Sequence, residues 1–145
     1  MIELPSRTIF YTIEKAIKEY RRFAQRNLNK TIDKITIDQA LLLINKNKHP
    51  ELSQKELGEL MFKDNASVTR MIELMTKRDY LERYVNKKDR RKYNLNITVK
   101  GEKILTDLNK IILTNRESAL IGITEKEIAQ LKNTLNKIIN NCHTK

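Results

Sequence analysis

The stretch VNKKDRRKYNLNITVKG, residues 85–101, packs Lys87, Lys88, Arg90, Arg91 and Lys92 into six positions around a single acid, Asp89. With Arg83, six of the ten residues from 83 to 92 are basic. Mutual repulsion gives no stability reason to gather so many cations, so the cluster points to an anionic partner. Arginine forks and lysine ammonium groups suit phosphates, and an arginine can also enter a narrow minor groove. The lone carboxylate has a use in that setting. Asp89 and Arg91 are two apart, so on an extended strand they share a side, and Asp89 can hold the Arg91 guanidinium in one orientation. A second group lies upstream, where Asn65, Ala66, Ser67, Thr69 and Arg70 set short side chains before a long cation. Small residues let a backbone approach closely while amides and guanidinium groups read base edges or phosphates, as an element entering a major groove must. Gln54 and Lys55 complete the residues expected to face nucleic acid.

The whole chain is charged the same way, with a formal net charge of +11 over 145 residues. Nucleic acid and an anionic membrane surface both answer that charge. Membrane-surface binding would need cations along one helix face, and here the richest cluster falls on what reads as a hairpin. No apolar run approaches the roughly 18 residues of a spanning helix, and MIELPSRTIF has no signal-peptide core. One cysteine, Cys142, excludes an internal disulfide framework and fits a reducing compartment, so a cytoplasmic location is expected. Catalysis is not expected: the chain has no phosphate-cradling glycine loop, no cluster of metal ligands and no nucleophile beside a plausible base. Cys142 and His143 are adjacent and His49 is the only other histidine, too few for a metal site. Neither a metal nor a cofactor is expected.

Periodicity indicates the elements that must hold these groups. From Pro5 to Leu28, Phe10, Ile13, Ile17, Tyr20, Ala24 and Leu28 recur at spacings of three and four, with Ile9, Ala16 and Phe23 widening the stripe. Thr36 with Gln39, Ser53 with Glu56, and Thr124 with Glu127 have capping-box spacing, and Asp64 and Thr98 can cap two more helices. Between Tyr80 and Thr98 the period falls to two, which reads as two strands around the basic tip with Tyr93, Leu95 and Ile97 on one face. Ile104, Leu105, Leu108, Ile111 and Ile112 form a further stripe, and so do Ile128, Leu131, Leu135 and Ile138. The expected class is mostly α, in the order α-α-α-α-β-β-α-α.

Residues 53–77 read as a helix-turn-helix. A short helix turns Leu57 and Leu60 inward, Gly58 lets the second helix approach, and that helix starts at Asp64 after only Met61, Phe62 and Lys63. A helix-turn-helix followed at once by a cation-tipped hairpin is a winged helix. The segment LSQKELGELMFKDNASVTRMIELMTKRDYLERYVNKKDRRKYNLNITVKGEKI resembles the DNA-binding core of the multiple-antibiotic-resistance regulator (MarR) family of bacterial transcription factors. The landmarks are Leu52-Ser53-Gln54, Glu56-Leu57, Asp64 before Ser67-Val68-Thr69-Arg70, Asp89-Arg90-Arg91, and Leu95, Ile97, Thr98, Lys100 and Gly101. Two positions depart from the pattern. Phe62 stands where the family often has a turn glycine, and Asp79 replaces the usual glycine after the recognition helix; aspartate tolerates left-handed backbone better than most residues.

The resemblance implies a sequence-specific regulator of transcription, more often a repressor, that binds double-stranded DNA as a homodimer on a pseudo-palindromic operator. It implies a recognition helix in the major groove and a wing in the minor groove. Residues 1–145 would be one protomer, with a DNA-binding core at 33–98 and dimerisation helices at 8–28 and 99–140. The surplus apolar stripes outside the core agree with that division. Many relatives bind small aromatic effectors, for which Tyr11, Tyr20 and Phe23 are the candidate lining residues. Some relatives sense peroxide through a first-helix cysteine, which this chain lacks. Two rivals remain from the residues alone: a non-regulatory DNA binder of the plasmid or phage replication type, and a winged-helix protein-interaction module.

Overall fold

Each helix begins where a side chain can satisfy its first free N–H groups. A computed structural model describes residues 1–143. After a 3-10 turn at Pro5–Arg7 come α1 (Ile9–Thr31), α2 (Ile37–Lys48), α3 (Gln54–Leu60) and α4 (Asn65–Lys77). Strands β1 (Leu81–Val85) and β2 (Tyr93–Ile97) follow, then α5 (Val99–Ala119) and α6 (Glu125–His143). The order is the one expected from the sequence. Thr36 and Ser53 form complete capping boxes with Gln39 and Glu56, and Asp64 accepts from the Ser67 N–H at 2.7 Å. Thr98 and Thr124 accept from Gly101 and Glu127 at 3.0 and 3.1 Å. The one shift is at the N-terminus: α1 starts at Ile9 rather than Pro5, because the Thr8 hydroxyl takes the Tyr11 N–H.

Residues 1–115 and 116–145 are separate compact units. The first holds the core: Leu28, Ile35, Leu42, Leu43, Leu57, Val68, Ile72, Met75, Leu81 and Leu108 are almost fully buried. Val68, Ile72 and Met75 come from one face of α4, and burying each contributes about 1.5–3 kcal/mol. That face fixes which residues of α4 are left to face outward. Helix α1 buries only Ala24 and Leu28, and Phe10 in its first half is 61% exposed. In the second unit α6 buries none of its residues, and Leu131 is 58% exposed. No described helix is long and apolar enough to cross a membrane.

The two strands pair antiparallel, Leu81 opposite Ile97 and Val85 opposite Tyr93. Leu95 and Ile97 pack on the core, whereas Tyr93 is exposed, with Arg83 5.3 Å from its ring centroid. Strand alternation puts all three on one side, but the hairpin outruns the core before it reaches Tyr93.

Gly58 makes the approach of α3 to α4 possible. A Cβ there would lie 2.9 Å from the Lys63 carbonyl oxygen and 3.2 Å from a Val68 methyl. Gly58→Ala should therefore lower unfolding stability by about 1–3 kcal/mol in chemical denaturation. An unchanged midpoint would show that the two helices separate at little cost.

Candidate nucleic-acid interface

The α4 face opposite the core carries Asn65, Ala66 and Arg70 exposed, with Ser67 and Thr69 half-buried. Asp64 holds its first turn in place. The Ser67 N–H and hydroxyl both bond the Asp64 carboxyl and keep it below the usual carboxylate range. Gln54, at the start of α3, crosses to this face and donates to Asn65 Oδ1 at 2.9 Å and Thr69 Oγ1 at 2.6 Å. Lys55 lines a concavity with Gly58, Glu59, Lys63 and Asn65.

Both departures from the family pattern sit at helix C-termini. The Lys63 N–H bonds the Gly58 carbonyl and the Phe62 N–H bonds that of Glu59, and Phe62 has φ +58°. The Tyr80 N–H bonds the Met75 carbonyl and the Asp79 N–H bonds that of Thr76, and Asp79 has φ +64°. Each is a Schellman stop whose left-handed residue is not glycine. The Phe62 side chain is 95% exposed, so no packing compensates a backbone cost of about 1–2 kcal/mol.

In the wing, residues 86–92, all five cations are exposed and the turn between them is stitched by two side chains. Asn86 Oδ1 accepts from the N–H groups of Lys88 and Asp89, and its amide nitrogen reaches Asn94 Oδ1 at 3.2 Å. Asp89 Oδ1 accepts from the Arg91 backbone N–H at 3.1 Å and from its Nε at 3.3 Å. The Asp89–Arg91 pair therefore exists, but not by strand alternation. The Lys92 N–H bonds the Asp89 carbonyl, so the pair closes across a turn.

The wing and α4 share an anchor. The Tyr80 carbonyl accepts from the Thr98 N–H at 3.1 Å, and the Asp79 carbonyl accepts from the Thr98 hydroxyl at 2.5 Å. Lys100 Nζ donates to the Arg78 carbonyl at 2.8 Å and sits 4.7 Å above the Tyr80 ring. A Cβ on Gly101 would come 2.3 Å from the Tyr80 oxygen, so only glycine permits the contact. The end of α4, the base of the hairpin and the start of α5 thus meet within three residues on each side.

Residues 35–93 match the MarR family model. Among curated relatives, the HTH-type transcriptional regulator SarZ of Staphylococcus aureus (strain MRSA252) is 26% identical over 132 residues, 90% of this chain and 84% of that protein. The match falls on the winged-helix core and does not extend to the flanking helices α1, α5 and α6. Solved structures with the same fold include S. aureus MepR in complex with DNA, at 21% identity and TM-score 0.83 over 92% of this chain and 98% of that one. Another is Bordetella bronchiseptica BpsR, at 19% identity and TM-score 0.83 over 95% and 97%.

Within this core, the residues expected at the interface fall into two groups, on α3–α4 and on the wing. The expected effector residues Tyr11, Tyr20 and Phe23 all lie on α1. The concavity at Tyr11 is lined by Glu14, Lys15, Lys18, Glu19 and Arg22, all on α1, and by neither Tyr20 nor Phe23. Cys142 and His143 lie exposed on α6, and no group of metal-ligating side chains occurs among the described residues. Sequence reading missed Asn86, although an asparagine closing a strand before a charged run is a turn former. It also missed Asp38 on α2, which pairs with Arg21 of α1 and, at 3.0 Å, with Lys63 beside the α4 cap. Those partners are remote in sequence and leave no local signal.

Burial pushes the Asp38 carboxyl up, but hydrogen bonds and charge from Lys63 and Arg21 outweigh it and hold the carboxyl below its ordinary value. A folded value below the unfolded one means the ionised group stabilises above pH 3.8, and that contribution is lost as pH falls through the lowered value. Asp38→Asn should cost about 1–2 kcal/mol at neutral pH. Denaturation measured across pH should show the gap to the unmodified chain closing as the medium acidifies below 3.8. A gap that stays constant would remove Asp38 as the titrating group.

Proposed function

We propose that this chain regulates transcription by binding double-stranded DNA as a homodimer. Helix α4 enters the major groove and the wing reaches the adjacent minor groove, on a pseudo-palindromic operator and most often in repression. One observation carries the reading: a cation-tipped wing is joined through the Arg78–Tyr80 turn to the exposed face of α4. In this pose Asn65, Ala66, Ser67, Thr69 and Arg70 face bases, Arg91 enters the minor groove, and Lys87, Lys88 and Arg90 meet phosphates.

The uncovered stripes support the dimer. Ile9, Phe10 and Ile17 of α1, and Leu131 and Ile139 of α6, are apolar side chains left in water that a second copy would cover. Relatives support the regulatory role: SarZ is a transcriptional regulator, MepR was solved on DNA, and BpsR has its DNA binding regulated by 6-hydroxynicotinic acid. The proposal includes release from DNA by a small effector, and work on cellular DNA in the cytoplasm rather than catalysis.

Selection of bound sites from random duplex DNA tests the reading. A recovered pseudo-palindrome is expected, with affinity falling steeply as salt rises. Recovery of no common sequence would sink it.

Asp89 supplies a sharper test on the selected operator. A carboxylate that only diluted repulsion would make Asp89→Ala tighten DNA binding, most at low salt. A carboxylate that orients Arg91 should make the same change weaken specific binding despite the added positive charge. The effect should then nearly vanish in an Arg91→Ala background, and additive effects in the double-mutant cycle would rule the orienting role out.

A further inference from the structure

Gln54 does more than join two helices. Both N–H groups of its amide are engaged, one with Asn65 Oδ1 and one with Thr69 Oγ1. Thr69 in turn donates its hydroxyl proton to the Asn65 backbone carbonyl at 2.9 Å. These three bonds settle which chemical edges α4 can present. Asn65 has its oxygen turned toward Gln54, so its Nδ2, with two N–H donors, is the edge left to face outward. Thr69 has spent its only donor and offers a methyl group and an acceptor lone pair.

An unrestrained asparagine in a major groove favours adenine, because it can donate to N7 and accept from the N6 amino group at once. With Oδ1 held by Gln54, that two-point fit is withdrawn. Guanine presents two acceptors, N7 and O6, and thymine presents the O4 acceptor with a methyl group. Both suit an outward N–H edge beside a threonine methyl. The amino group of cytosine does not, and adenine offers only its N7, next to an amino group that the edge cannot pair.

We infer that Gln54 sets specificity by locking the amide of Asn65 with its donors outward, so that the base facing Asn65 is a keto base, guanine or thymine. The inference rests on the DNA-binding reading and names the base chemistry at its recognition helix. Gln54 is then a positioning residue that acts through Asn65 and Thr69 without itself reading a base.

Substitutions at Gln54 distinguish this from a plain structural tie. A glutamate carboxylate can only accept, so Q54E should draw the Asn65 Nδ2 and the Thr69 hydroxyl inward and turn the Asn65 oxygen out. Site selection with the unmodified chain, Q54A and Q54E at one salt concentration reads the result. The unmodified chain should recover guanine or thymine at one position in each half-site. Q54A should flatten that preference by about five- to tenfold, the lower range for one base contact. Q54E should move it to adenine or cytosine, with the other positions unchanged. If Q54E does not fold, Q54A carries the test of the lock, and N65D checks the reader: it still accepts from Gln54 but has no donor, so the keto preference should disappear. A base preference unchanged in these variants, with affinity lowered equally for all sites, would overturn the lock and leave DNA binding intact. An unmodified chain that recovers no common site would overturn the DNA reading and the lock together.

Discussion

The reading surface depends on the junction at Tyr80. Its carbonyl receives the Thr98 N–H and lies against Gly101, while the two carbonyls before it receive the Thr98 hydroxyl and the Lys100 ammonium. The Arg78 carbonyl ends α4, where a helix leaves acceptors unpaired and favours a nearby cation, and those of Asp79 and Tyr80 belong to the turn that follows. Satisfying them from the residues that end β2 and begin α5 serves two purposes. Lys100 pairs the last acceptor of α4, and the Thr98 bonds fix the root of the wing relative to that helix. A hairpin of two five-residue strands is marginal alone, so its direction has to come from its base.

Charge and order are divided across the wing. Its five cations are exposed, Arg91 alone among them paired with Asp89, and the backbone beneath them is held by Asn86 and Asp89, which together accept four hydrogen bonds at the tip. Less conformational freedom is then lost on binding than a bare basic loop would lose. The start of α4 is treated in the same way. Asp64 caps it, Lys63 anchors the preceding turn to Asp38, and Arg21 ties Asp38 to α1. One half-buried carboxylate thus ties α1, α2 and the turn before α4 together.

Much of this was legible in the sequence, for physical reasons. The caps at Thr36, Ser53, Asp64, Thr98 and Thr124 are local rules of spacing, and all five close as those rules require. Gly58 was expected to admit the second helix, and the Lys63 carbonyl leaves no room there for a side chain. The start of α1 was misjudged because Pro5 opens only a 3-10 turn before Thr8 takes over as cap. The Asp89–Arg91 pair was expected from strand geometry and forms through a turn. Tyr93 was placed with Leu95 and Ile97 by alternation, which says nothing about how far a hairpin projects beyond its core. Asp38 and the crossing bonds of Gln54 were not legible, because each depends on residues brought near only by the packed helices.

Hydroxyl-radical footprinting on the selected operator, comparing the unmodified chain with Thr98→Val, tests most directly whether the Tyr80 junction aims the wing. The valine keeps the shape of the side chain while removing its hydrogen bonds to Asp79 and the α5 cap. The unmodified chain should give sharp minor-groove protection at a fixed offset from each major-groove contact, and the variant should keep the major-groove contact while its minor-groove protection blurs. Identical footprints from the two proteins, or no minor-groove protection by the unmodified chain, would contradict the role assigned to the junction.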